Sequence, residues 1–148
     1  MWGIMRKYFR GMRHPGRERQ SRGGERTMTK EKIMATRAGK KLDAMVAETV
    51  MGNRYVRDET FGDMEITPEG INSILQPYSS DITAAWDVLE RMKGYNPRLA
   101  FDTHSRKWEA AFSFNEAEFT FPMVLATTAP EAICKAALLA LLETENVD

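Results

Sequence analysis

Asp102 and His104 lie two residues apart in "RLAFDTH" (98–104), a run that alternates like a strand, so both belong on one face of it. An acid beside an imidazole can begin a hydrolytic pair, or supply half of a metal site. Either would need further groups. The other of the two histidines, His14, stands near the N-terminus, and the single cysteine, Cys134, falls inside an apolar run. With so few partners, Asp102 and His104 read as a solvated strand end. Lys135 directly after Cys134 could in principle favour a thiolate. The surrounding "ICKAALLALL" is instead the setting in which cysteine packs as a small hydrophobe.

Carboxylates gather at Asp58, Glu59, Asp63, Glu65 and Glu69, and again at Glu116 and Glu118. Such pairs can move protons or hold a divalent cation. Nothing in the spacing fixes their separation, and charged loops are the ordinary way to keep a chain soluble, so solvation is the preferred reading. Trp86 and Trp108, with Phe112, Phe114, Phe119 and Phe121, could offer nucleic-acid bases a stacking platform. They stand on an acidic body that lacks charges to neutralise phosphate, and they read better as aromatic core. We therefore assign no catalytic, cofactor-binding or metal-ligating residue, and expect a non-catalytic protein.

The net charge of +0 conceals a division. Residues 1–27 hold eight of the 21 Lys and Arg (Arg6, Lys7, Arg10, Arg13, Arg17, Arg19, Arg22 and Arg26) but two of the 21 Asp and Glu, so the arm carries +6 and the remainder −6. An arm of this kind binds nucleic acid through phosphate, without sequence preference. A second reading competes with it. Gly24-Glu25-Arg26 can be encoded by the purine-rich run that bacterial ribosomes pair with, and Met28 follows one codon later. Residues 1–28 are thus expected to be a basic, disordered tail or a leader translated from a start placed too early, and 29–148 a single domain. The N-terminus has no apolar core of a signal peptide, and the longest apolar run, 136–142, is too short to span a bilayer. An intracellular protein follows as the expectation.

The elements that must position these residues can be read from periodicity. Thr29 precedes apolar positions Ile33, Ala38, Leu42, Met45, Val46 and Val50 at helical spacing, and Gly52 stands where a helix ends, predicting one helix over this span. "RYVRD" (54–58) is a strand, and the polar stretch to Ser79 leaves room for a short strand near Met64–Ile66. Residues 79–94 predict a second helix, capped by Ser79 or Ser80 and ended by Gly94, with Ile82, Ala85, Trp86 and Leu89 inward. The period then drops to two in 98–104 and 107–114. In 117–126 it would put Phe119, Phe121, Met123 and Leu125 on one face, with Pro122 marking an edge or a break. Thr128 and Glu131 form a T-x-x-E box around Pro130, opening an apolar helix that reaches about Glu143. The expected core is Leu42, Val46, Ile82, Trp86, Phe101, Trp108, Phe112, Ile133 and Leu141.

The order is helix, strand, helix, two or three strands, helix, an α+β arrangement of helices on a small, mainly antiparallel sheet. Three stretches, "AGKKLDAMVAETVMGNRYV", "PYSSDITAAWDVLERM" and "ATTAPEAICKAALLALL", together resemble the phage ABA sandwich domain family, from phages and prophages of Bacillus-like hosts. The resemblance begins just after Met28. It implies a three-layer α/β/α sandwich and a phage origin, and implies no reaction. The expectation is a small accessory protein in the host cytoplasm, an interaction module for a protein partner. One alternative is a nucleic-acid-associated protein acting through the arginine-rich arm; another is a small enzyme with carboxylate chemistry.

Overall fold

The computed structural model describes residues 28–114 and 119–147, so the basic arm, His14, Glu116 and Glu118 lie outside the described residues. Helix α1 (Lys30–Ala35) opens at Thr29, whose Oγ1 accepts the Lys32 N–H at 3.1 Å. Where one continuous helix was expected, the chain breaks. Thr36 turns extended, Gly39 adopts φ +149°, and a second helix, α2, runs Lys40–Thr49. That φ is open to glycine and strained for other residues, and the periodicity of 33–50 carries no trace of it. At the other end the expected stop is real: Gly52 at φ +77° lets the Asn53 N–H reach back to the Ala47 carbonyl at 2.9 Å.

Strands β1 (Arg54–Asp58), β2 (Gly62–Ile66) and β3 (Asn72–Ile74) form an antiparallel sheet in that order. The third was not anticipated, because "NSI" is too short and polar to show a period. Helix α3 (Ile82–Arg91) follows, capped by Asp81, whose Oδ1 accepts the Thr83 N–H at 2.9 Å. Neither expected cap serves: Ser79 is buried and engaged elsewhere, and the cap position falls on Asp81 rather than Ser80.

Strands β4 (Asn96–Asp102) and β5 (Lys107–Phe114) make a hairpin at the expected turn. β6 (Phe119–Thr120) and β7 (Val124–Ala126) then pair successively along the far side of β5, separated at Pro122 as the proline predicts. That interruption shifts the alternation by one. Phe121, Val124 and Ala126 are buried, and Met123 and Leu125, expected alongside Phe121, are exposed. The strands thus divide between two antiparallel sheets rather than forming one.

Helix α4 (Ala129–Val147) is the axis of the molecule. Its start is the expected cap: Thr128 Oγ1 accepts the Glu131 N–H at 3.4 Å, while the Glu131 carboxylate pairs with Lys135 at 2.9 Å. Lys135 is itself buried and donates to the Met34 carbonyl at 3.0 Å, tying α4 to α1. Residues 132–141 are buried on every side of the helix, as its all-round apolarity requires. β5 and β7 pack against α4, α4 packs against α1, α2 and α3, and α2 carries β1 and β2. The core between them includes Leu42, Val46, Phe112, Ile133 and Leu141 as expected. Trp108 is half-buried at its margin. Ile82, Trp86 and Phe101 do not belong to it. α3 turns Ala84, Ala85, Val88 and Met92 inward, leaving Ile82 exposed and Trp86 56% exposed, and Phe101 overhangs α4 at 46%.

Candidate docking face and its buried polar support

The first sheet is inverted relative to the usual pattern of apolar residues inside and polar residues outside. Directly paired residues share a face. The register therefore puts Tyr55, Glu65 and Ser73, with Arg57 and Asp63, on one side. Val56, Met64 and Ile74, with Ile66, fall on the other. The polar side faces α2 and the body: Tyr55 packs on the core, and Asp63 and Glu65 are buried. The apolar side faces outward. Ile74 is 63% exposed, and Phe61 and Ile71, at the two turns that bound β2, are equally open.

A buried polar side survives only if its groups are satisfied. Glu65, 1% exposed, sits at the centre. Its Oε1 accepts from Asn53 Nδ2 at 2.7 Å and its Oε2 from the Gln76 N–H at 2.9 Å, and the Tyr78 hydroxyl lies 2.9 Å from both oxygens. Asp63 accepts from the Tyr55 hydroxyl at 2.6 Å and is bridged by Lys40 at 3.3 Å and Arg57 at 3.6 Å. The Tyr55 hydrogen bond, foremost, holds the Asp63 carboxyl below its ordinary pKa and raises that of Tyr55 in turn. Asp43, in the first turn of α2, takes both the Ser79 hydroxyl at 2.6 Å and the Ser79 N–H at 2.8 Å, and Ser79 Oγ accepts the Gly39 N–H at 2.9 Å. Burial raises the Asp43 pKa, against the pull of Ser79.

These bonds join the α2 start, β2 and the segment before α3 into one layer. They also fix the sheet's register. A slip of one residue would turn Met64 and Ile66 inward and expel Glu65 from its three donors. The apolar face is outward because the polar face is claimed.

The groups considered for catalysis are scattered. Asp102 accepts from the His104 and Ser105 N–H groups and from the Ser105 hydroxyl at 2.8 Å, organising its own hairpin loop; the Ser105 bond, foremost, lowers its pKa. Cys134 is buried in α4, and burial, ahead of Asp43 and Glu131, drives its thiol pKa well up, away from a reactive thiolate. Tyr78 is raised likewise, by burial first and then by Glu65. Of the first acidic group, Asp58 caps its turn by accepting the Thr60 and Phe61 N–H groups at 2.9 and 2.7 Å, and Glu59 and Glu69 are exposed. Asp63 and Glu65, expected to be solvated, are strand residues pointing inward. Among the described residues no group of three metal-ligating side chains converges. The aromatics divide between core (Phe112, Phe121), margin (Trp108) and surface (Trp86); the side chains of Phe114 and Phe119 lie outside the described ones. A usable signal for the docking face was the alternation of Asp63 and Glu65 with Met64 and Ile66, but which side faces inward depends on Asn53 and Tyr78, distant in sequence.

The family model described as the phage ABA sandwich domain matches residues 44–138. A 2.0 Å crystal structure of a phage protein from Bacillus cereus ATCC 14579 has a similar fold, with a TM-score of 0.55 and 26% sequence identity over 71% of this chain and 95% of that one. No curated protein matches the chain. No helix of the described residues is long and apolar enough to cross a membrane.

Proposed function

Because the chain belongs to the phage ABA sandwich domain family, we propose that it is a phage accessory protein of the host cytoplasm that binds a protein partner, without catalysis, through the outward face of its first sheet. The observation that carries this reading is the inversion of that sheet. Val56, Met64 and Ile66, half-buried, lead to exposed Ile74 in a row of apolar side chains on the outward face, and exposed Phe61 and Ile71 extend it at both turns, a patch that suits a partner better than water. The partner offers a complementary apolar surface, and the satisfied carboxylates beneath keep the face rigid before binding.

Ile74→Glu and Phe61→Glu each alter an exposed side chain, so the melting temperature should hold within a few degrees, on the order of what surface changes cause. Partner capture from infected host cells should fall at least about tenfold relative to the unaltered chain, the loss expected when an apolar anchor becomes a desolvated charge. Undiminished capture by both variants counts against this face.

The nucleic-acid alternative rests on the eight basic residues of the arm. The remainder carries −6 and repels phosphate. In filter binding at physiological salt, residues 28–148 should leave bare duplex unbound. Micromolar affinity falling steeply with salt would promote the alternative.

A further inference from the structure

Among the described residues β4 pairs only with β5, which makes it an edge strand of seven residues. Of the other edges, β6 and β7 are broken at Pro122, β3 has three residues, and β1 has five. Pro97 lacks an N–H, and beyond it the five residues 98–102 leave an edge that is a template for another strand.

The order of residues along β4 indicates which strand. Its central run, Arg98-Leu99-Ala100-Phe101-Asp102, is complementary to itself when reversed. Placed antiparallel to a second β4 with Ala100 on the two-fold axis, Arg98 stands opposite the partner's Asp102, and Leu99 opposite the partner's Phe101. The matching pairs recur on the other side of the axis, as an isologous interface requires. Opposite charges and apolar pairs facing directly across strands are the arrangements that stabilise a sheet. Moving the register two residues either way destroys the match. Arg98 then faces either Ala100 or His104 of the second copy, and neither shift gives Asp102 a basic residue.

The overhanging side chains gain a place by the same operation. Within one chain the register sets Ala126, Trp108 and Phe101 in a cross-strand row, and Val124, Ala110 and Leu99 in the next. Phe101 packs edge-to-face on Trp108, with ring centroids 5.3 Å apart, yet Phe101 and Leu99 remain exposed beyond α4. In the paired sheet the first row runs through Phe101 into the partner's Leu99, Ala110 and Val124, an unbroken apolar band across both copies. We infer that the chain forms a two-fold dimer by antiparallel pairing of β4 with β4 of a second copy, centred on Ala100. The first sheet takes no part, so this inference and the docking face above stand or fall separately.

Sedimentation velocity of the full chain over about a hundredfold range of concentration should show a reversible monomer–dimer equilibrium. Arg98→Asp places an acid opposite the partner's Asp102 at two symmetric positions, and should weaken the dimer at least about tenfold. Combining it with Asp102→Arg restores both pairs with the charges exchanged, and should recover most of the loss. Ala100→Cys, on the axis, should give a disulfide-linked dimer under mild oxidation, whereas Arg98→Cys, off the axis, should not; the native Cys134 is buried and silent. A monomer at every concentration would overturn the inference. So would a dimer indifferent to Arg98→Asp, or one linked equally well through position 98.

Discussion

Replacing Glu65 with alanine should lower the unfolding free energy by about 3–5 kcal/mol, because three donors around a buried carboxylate lose their acceptor at once. The Asn53 amide, the Gln76 N–H and the Tyr78 hydroxyl all converge on this one side chain. Glu65→Gln keeps the shape but turns an amide donor towards other donors, and should cost about 2 kcal/mol. Tyr78→Phe removes a single hydroxyl and should cost about 1–2 kcal/mol. The three residues belong to one network, so the Glu65→Ala, Tyr78→Phe double variant should lose less than the sum of the single losses. Urea unfolding monitored by circular dichroism measures each value. Midpoints that do not move for Glu65→Ala would show that the first sheet is held by something other than its buried polar side, and the argument for an outward apolar face would go with it.

That network marks the limit of what periodicity conveys. Strands 54–58 and 107–114 are legible to the residue, the first from β-favouring Tyr55 and Val56 just past the turn at Gly52, the second from its alternation. The closing helix is legible from Thr128 onward, because an all-apolar helix with a T-x-x-E start has few other solutions. The orientation of the first sheet is not. Alternation in "GDMEI" reports two chemically different faces but not which is covered, and burial of the acidic one depends on donors 11 to 13 positions away. Gly39 raises the same difficulty in one residue. A glycine within a helical pattern is tolerated often enough that the break shows only once Ser79, forty positions on, is found holding its N–H. Both failures are non-local hydrogen bonds, which sequence spacing cannot register.

The aromatic residues fail for a different reason, and the second large effect separates them. Phe112→Ala should cost about 3–5 kcal/mol, and Trp86→Ala less than about 1 kcal/mol, although tryptophan is the larger side chain. Helical spacing puts Trp86 one turn from Ile82 on one flank and Ala85 on the other, about 100° apart, so an apolar stripe of that width on α3 would include all three. The helix in fact seats its narrow side, Ala84, Ala85, Val88 and Met92, against α4, where small residues let two helices approach closely. Trp86 would hold them apart. Phe112 has no such freedom. It alternates with Ala110 on the α4 side of the central strand, is 2% exposed, and meets Tyr95 edge-on at 6.3 Å between centroids. Truncating it opens a cavity that β5, paired on both sides, is poorly able to collapse. Thermal and urea unfolding of the two variants under one buffer decide the matter. Equal losses would return Trp86 to the core and place α3 in a different rotation, with Ile82 turned inward beside it.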